Sequence, residues 1–427
     1  MKILLISPFF PPEVGSAAHL YDDMARALQA RGHEVMVLTG LPRYHVVRES
    51  EKCRGRLLIR ENYHGLPVYR AFNLDIGRKG PVLRGIDQLV GAFSFWLTGA
   101  VLPPVDIVLA YSPPLPLALA ALALGRQRRV PVVVNVQDLF PQSAIDLQVM
   151  KNSLLIALWR RLESLLYRRA DRFVVHSRGN RDYLAARGAR AANIAVIPNW
   201  VDVEAIKPGP GRNPWRRRLR GSAGGAPFIV SFAGIMGYSQ DLDCVLKSAG
   251  LLKGYKDIRF VLVGDGVERP RLVRLARERG LDNVQFLPMQ PREEYAQALA
   301  ASDLCLVTLH QAVQTPVVPS KILSIMAAGR PLVASLPPGG DGPRLIREAR
   351  CGVCLPPGDP GAMAQAVLGL YGNAAARRKM GANGRRFAVE HLSLQKCAGE
   401  VEALLVDTVS RGRRPAAEER QLSSLAI

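Results

Sequence analysis

"PFIVSFAGIMGYSQDLDCVLKSAGLLK", residues 227–253, decides the fold of this chain. An apolar run of strand length ends at Gly234. A short loop with a second glycine, Gly237, follows, and a helical pattern opens at "DLDCVLKSAGLLK". Parallel strands are covered on both faces, so they read as unbroken apolar runs, and each needs a crossover helix before the next. Downstream the order repeats. "IRFVLVGDG", "VQFLP", "LCLVTL", "PLVASL" and "GVCLPP" read as strands, separated by helical stretches such as "ERPRLVRLARERG", "REEYAQALAASD" and "SKILSIMAAG".

Upstream of this restart lies a Gly-, Pro- and Arg-rich stretch, 205–226, expected to be a linker. The same alternation precedes it. "KILLIS" (2–7), "HEVMVLTG" (33–40), "VDIVLAYS" (105–112), "VPVVVNVQD" (130–138), "DRFVVHS" and "NIAVIPN" are strands. Helices such as "LPLALAALALGRQRR" and "SLLIALWRRLESLLYRRA" lie between them. The chain is therefore α/β, with two doubly wound Rossmann-like domains expected over 1–204 and 227–385. A C-terminal helix over 386–410 is expected to return to the first domain, and the polar tail 411–427 to be disordered. Ligands bind at the carboxyl ends of such strands, which places the chemistry in a cleft between the domains.

Bulk properties narrow the partners. The 427 residues include 57 Lys and Arg against 36 Asp and Glu, a net charge of +21. Such an excess favours phosphate compounds, acidic lipid headgroups or nucleic acid. An Arg-, Ala- and Gly-rich coding bias accounts for it equally well. Nucleic acid fits poorly, because the bases carry no interleaved aromatics on a recognisable module. Of the six cysteines, only Cys351 and Cys354 form a C-x-x-C pair, without the second pair or histidine that zinc needs. No metal site and no cofactor are expected, and the cysteines read as reduced and cytosolic. "MKILLISPFFPPE" suits a first strand better than an export segment. The longest apolar run, "LVGAFSFWLTGAVL" (89–102), is short for a bilayer span of about 20 residues. It is expected to be a partly buried helix touching membrane through Phe93, Phe95 and Trp96, with Arg78, Lys79 and Arg84 preceding it.

The loops after the strands carry the polar residues. In "PPEVGSAA" (11–18), Gly15 and Ser16 leave backbone N–H groups open to a phosphate at a helix N-terminus. Glu13 is expected to point towards the cleft. The loop is neither G-x-G-x-x-G nor a Walker loop, which disfavours a dinucleotide. "VGDG" supplies Gly264, Asp265 and Gly266, a tight turn in which Asp265 can cap the next helix. Ser320 and Lys321 open a helix with a cation beside backbone donors. Each loop also reads as an ordinary turn, and Lys321 as a solvated lysine.

These stretches occur together with "LQARGHEV", "SPPLPLALAAL", "VQDLFPQSA", "YRRADRFVVHS", "IPNWVD", "VVPSKILSIMAAGRPLVAS" and "CGVCLPPGDP". As a set, covering residue 1 to roughly 400, they resemble the family 4 glycosyltransferases, which have the GT-B fold. The resemblance is greatest to the branch that builds bacterial lipopolysaccharide and exopolysaccharide, with N-acetylfucosamine-type sugar transferases among its members. It implies a nucleotide-sugar donor, a UDP-sugar by expectation, in the C-terminal domain. Gly264, Asp265, Gly266 and Leu287 would bracket the base. Gly234, Gly237, Ser320 and Lys321 would lie near the diphosphate, with Gly15 and Ser16 closing from the N-terminal domain. Asp138 would face the transferred sugar or the acceptor, commonly a polyprenyl-diphosphate-linked sugar at the inner membrane face. The implied enzyme is cytoplasmic and peripheral to an anionic membrane, retaining, and independent of metal. Asp138 and Lys321 are its expected catalytic residues.

Four positions depart from the family pattern. Pro316 and Ser324 stand where many members carry two glutamates, leaving Ser324 a weaker hydroxyl contact to the donor. Tyr238 replaces an Arg, and Gln137 a His or Arg. A nucleotide-sugar epimerase of the same architecture, which needs no acceptor, and a non-catalytic scaffold descended from a transferase are the alternatives.

Overall fold

The computed structural model describes residues 1–13, 15–42, 56–74, 81–210, 213–218 and 227–412. Arg78, Lys79 and the part of the expected tail beyond residue 412 lie outside the described residues. The chain divides into two compact units. One comprises Met1–Pro141, Asn152–Pro198 and Leu394–Ile427, the other Gln142–Lys151 and Asn199–Ser393.

The first unit opens with β1 (Lys2–Ile6), α1 (Ser16–Ala30), β2 (Glu34–Gly40), β3 (Leu58–Tyr63), β4 (Leu66–Ala71) and α2 (Pro81–Val101). It continues with β5 (Ile107–Ser112), α3 (Leu115–Arg128) and β6 (Val132–Val136). The short α4 (Gln142–Asp146) belongs to the second unit. Then come α5 (Ser153–Arg169), β7 (Arg172–Val175), α6 (Arg178–Ala186) and β8 (Ile194–Val196). The sheet runs β3-β4-β2-β1-β5-β6-β7-β8. At its centre Leu4 pairs in parallel with Met36 on one side and Val108 on the other. Every residue of β5 and β6 is buried, which explains their uninterrupted apolar sequence.

The β3–β4 pair is antiparallel and was not expected from the sequence. Its turn is His64–Gly65, with φ of 50° and 86°, the left-handed pair that a two-residue hairpin requires. The outer strand alternates between exposed and half-buried residues and so lacks the apolar run that marks the inner strands. α2 begins earlier than the apolar run 89–102. Residues two apart on a helix point to opposite sides, and here that corrects an expectation. Phe95 is 4% exposed and belongs to the core, whereas Phe93 is 63% exposed and Trp96 is half-buried.

The second unit has α7 (Pro214–Arg218), β9 (Phe228–Ala233), α8 (Leu242–Leu251), β10 (Ile258–Val263), α9 (Arg269–Glu278), β11 (Val284–Leu287) and α10 (Arg292–Ala301). It continues with β12 (Leu304–Thr308), α11 (Ser320–Ala327), β13 (Leu332–Ser335), α12 (Asp341–Ala349), β14 (Gly352–Leu355), α13 (Pro360–Tyr371) and α14 (Ala374–His391). Its parallel sheet runs β11-β10-β9-β12-β13-β14. One core cluster gathers Phe232, Phe260 and Leu246, a second gathers Val307, Ile322 and Met326.

The stretch 205–226 is more than a linker. Trp215 of α7 is buried against Ile229, Val261 and Ala298, and Arg216 pairs with Asp303 at 2.9 Å. The helix expected over 386–410 is two helices. α14 stops at His391, and α15 (Leu394–Gly412) begins after Ser393, where the division between the units falls. α15 is tied to the first unit by Glu402, which meets Arg31 at 3.0 Å and His33 at 2.8 Å. Cys351 and Cys354 stand at and within β14 as free thiols.

Candidate donor site and a second loop cluster

In the second unit the carboxyl ends of β9, β10 and β11 are joined by backbone hydrogen bonds. Gly234 N donates to Val263 O at 2.9 Å, Met236 N to Asp265 O at 2.8 Å and Gly264 N to Leu287 O at 3.0 Å. These bonds draw the "FAG" and "VGDG" loops into contact. Gly264 has φ of +145°, and a Cβ there would lie 1.9 Å from Gly234 O. No side chain fits such a position, so the glycine is a condition of the loop packing. Gly266 is packed likewise against the carbonyl of Met236. Gly237 differs, since a Cβ would meet only Ile235, at 4.0 Å. Asp265 does not cap the next helix as expected. Its carboxylate accepts from Gly266 N at 2.8 Å, and Glu268 stands at the N-cap of α9 without a side-chain cap. Leu287 ends β11 half-buried against the cluster that holds Trp215.

Lys321 reaches this cluster from the first turn of α11. Its Nζ donates to Gln240 Oε1 at 2.6 Å and lies 4.8 Å from the centroid of the Phe232 ring. Its Cε occupies the space a Cβ on Gly234 would take, 2.5 Å from that position. Gly234 is thus the gap through which the ammonium group approaches. Burial lowers the Lys321 pKa to about 8. The segment carrying Gln240 is itself fixed. Thr308 Oγ1 donates to Gln240 O, and His310 N donates to Ser239 O at 2.7 Å. Gln240 was missed in the sequence, since its only signal is a polar residue between Gly237 and a helix. Ser320 stands at the start of α11, which has no side-chain cap. Desolvation holds the phenol pKa of the half-buried Tyr295 up at about 12, and its hydrogen bond with Ser324 lowers it in part. The expected donor residues Gly234, Gly237, Gly264, Asp265, Gly266, Leu287, Ser320, Lys321 and Ser324 all lie at the carboxyl end of this sheet or on α11.

In the first unit the loop after β1 leads to α1. Gly15 is the N-cap, with an extended φ of 176°, and a Cβ there would meet nothing within 4 Å. Ser16 is the first helical residue, and α1 has no side-chain cap. Glu13, expected to point towards the cleft, is buried at 5% exposure. The loop is held from below by Arg70 of β4, whose Nη2 donates to Pro11 O and to Glu61 Oε1, both at 2.5 Å. Arg70 is 1% exposed and is a second residue the sequence did not reveal. Asp138 follows β6 and is exposed at its surface. The protein around its carboxyl still desolvates it and raises its pKa. Gln137 beside it is buried, and its amide donates to Asn135 Oδ1 at 2.9 Å. Among the described residues no group of three or more His, Cys, Asp or Glu converges to hold a metal ion.

Comparison with known proteins gives the family. Residues 15–200 match the glycosyl transferase 4-like domain, and residues 227–373 match the glycosyl transferases group 1 domain. A probable glycosyltransferase of Pseudomonas aeruginosa, WbjE, is 29% identical over 297 residues, covering 66% of this chain and 71% of the relative. A putative colanic acid biosynthesis glycosyl transferase of Escherichia coli K12, WcaI, is 25% identical over 336 residues, covering 77% and 82%. Among solved structures, HepE of Anabaena in complex with UDP and glucose superposes with a TM-score of 0.72 at 18% identity, covering 95% of this chain and 100% of that one. WaaG, a glycosyltransferase involved in lipopolysaccharide biosynthesis, gives 0.67 at 14%, covering 93% and 99%. With both halves of the chain matched and the two Rossmann-like units in place, the chain belongs to the GT-B glycosyltransferases and is a transferase enzyme.

Proposed function

We propose that the enzyme moves a sugar from a UDP-sugar to a polyprenyl-diphosphate-linked saccharide during assembly of a bacterial surface polysaccharide. Anomeric configuration is retained and no metal takes part. The observation that carries this reading is Lys321. Its ammonium is fixed by Gln240 at 2.6 Å, beside Gly234 and at the first turn of a helix. When the bond from the anomeric carbon to the donor phosphate breaks, negative charge grows on the leaving diphosphate. A cation and backbone N–H groups already in place stabilise that charge without reorganising. The colanic acid biosynthesis for which WcaI is named supports the pathway class, and the UDP complexes of HepE support the base.

In this reading Gly264, Asp265, Gly266 and Leu287 border the base, and Gly237, Ser320 and Ser324 line the diphosphate and sugar. The first unit takes the acceptor. Asp138 faces the reacting sugar or acceptor, and Gly15 and Ser16 offer backbone N–H groups to phosphate. No helix among the described residues is long and apolar enough to cross a membrane, and the enzyme acts as a peripheral protein at the cytoplasmic face. The test is a panel of UDP- and GDP-sugars with a polyprenyl-diphosphate-linked monosaccharide, read by released nucleotide and by the anomeric NMR coupling of the product. UDP release with a retained configuration in the presence of EDTA is expected. An inverted product, or turnover abolished by EDTA, overturns the proposal.

A further inference from the structure

We infer that α2 and α5 of the first unit form one surface that docks on an anionic lipid bilayer, with α2 inserting apolar side chains and α5 supplying the positive charge. This extends the peripheral placement proposed above, but it rests on the surface of the unit and not on the transfer reaction. α3 packs against both helices. At ordinary helix spacings of 8–10 Å this puts α2 and α5 roughly 20 Å apart on one face of the sheet.

The outward side of α2 is a ladder at helical spacing. Ile86, Leu89, Phe93, Leu97 and Val101 are all exposed, Leu97 at 53% and Val101 at 74%. A stripe of this length on a single helix exceeds the scattered apolar residues that any surface carries. α5 repeats the pattern with charge added. Leu154, 80% exposed, Leu158, Arg161, Leu165, Arg168 and Arg169 all face solvent. α3, between them, exposes Arg126 and Arg129 at its end. The acids on these helices do not cancel this charge. Glu163 is buried on the inner side of α5 against Tyr167 and Arg187, and Asp87 accepts from the backbone of Leu74. The combined surface carries long apolar side chains and arginines, with no exposed acid on the three helices. Charge complementarity selects an anionic bilayer over a second copy of this chain, whose facing arginines would repel. Phe95 and Trp159 face inward and take no part.

The test is sedimentation of the full chain with vesicles of phosphatidylcholine and phosphatidylglycerol, and with phosphatidylcholine alone. Three variants are compared: F93S/L97S on α2, L154S/L158S on α5, and R161Q/R168Q/R169Q. Far-UV circular dichroism and melting establish that each folds, and sedimentation velocity reports self-association. Binding to the anionic vesicles alone is expected. It should weaken at least tenfold in both Ser variants and roughly a hundredfold in the arginine variant, since each basic residue near such a surface is worth about 1 kcal/mol. The Ser variants should leave the oligomeric state unchanged. Equal binding to both vesicles, or full binding by the α5 variants, overturns the two-helix surface. Loss of a dimer in the Ser variants without loss of vesicle binding shows that a second copy covers the face, and overturns it too. Because the readout needs no donor or acceptor, failure here leaves the transfer reaction untouched, and failure of the transfer reaction leaves this result standing.

Discussion

Lys321 gives the sharpest quantitative expectation. Its ammonium sits between Gln240 and the Phe232 ring, and burial lowers its pKa to about 8. A bound diphosphate places negative charge beside it and raises that pKa again. Nucleotide binding above pH 8 must therefore take up a proton. The terminal phosphate of UDP has its own ionisation near pH 6 and its uracil N3–H ionises chiefly above this range, so between pH 7 and 9 the lysine makes the main change of state. In the free enzyme the protonated fraction falls from about nine-tenths at pH 7 to about one-tenth at pH 9. UDP affinity should fall about tenfold over that interval, ~1.4 kcal/mol. Calorimetry in buffers of different ionisation enthalpy should show uptake of about 0.1 proton at pH 7 and about 0.9 at pH 9. The sign for stability is opposite. Folding lowers this pKa, so the charged lysine costs the unliganded fold below pH 8, and the cost is relieved as pH rises from about 8 towards the unfolded value. K321M should bind UDP ten- to a hundredfold more weakly, the worth of about one charged hydrogen bond, and should lose the pH slope. A UDP affinity that is flat from pH 7 to 9 in the wild type, or unchanged in K321M, would refute the reasoning.

Further expectations follow from the loops and the core. Gly264→Ala forces a Cβ into the carbonyl of Gly234 and should destabilise the second unit by about 4 kcal/mol or more, whereas Gly237→Ala enters open space and should stay within about 0.5 kcal/mol in urea unfolding. Arg70→Met leaves the Pro11 carbonyl and the partly exposed Glu61 carboxylate without their donor and should cost about 1–3 kcal/mol by the same assay. Gly15→Val places a Cβ where nothing lies within 4 Å, so melting should change little while turnover drops at least about tenfold, the loss expected when phosphate cannot approach the helix N-terminus. Unchanged turnover would remove Gly15 from the site.

Much of the fold was legible because the central strands of both sheets are buried on both faces. β5, β6 and β9 consist wholly of buried residues, and such runs with helices between them permit little besides a parallel sheet. The β3–β4 hairpin was illegible for the opposite reason. β3 is a polar edge strand, and its turn is the uncommon His-Gly pair. Phe95 was misplaced because the run 89–102 was read as one apolar block. At 100° per residue, positions 93 and 95 fall on opposite sides, and the helical period separates them. At the site, the glycines and Lys321 could be picked out, since they are rare types at strand-to-helix junctions. What holds them could not. Gln240 lies 81 residues from Lys321, and Arg70 lies 59 from Pro11. Partners at such separations are set by topology and leave no local pattern. Trp215 was hidden in the same way inside an Arg-, Gly- and Pro-rich stretch.

The most direct test of the account is the release of UDP from a UDP-sugar, measured with and without a polyprenyl-diphosphate-linked acceptor, in wild type and K321M. Release that depends on acceptor and collapses in K321M is the result expected. Conversion of the donor without acceptor, or equal rates in the two proteins, would contradict a transferase that works through the ammonium beside Gly234.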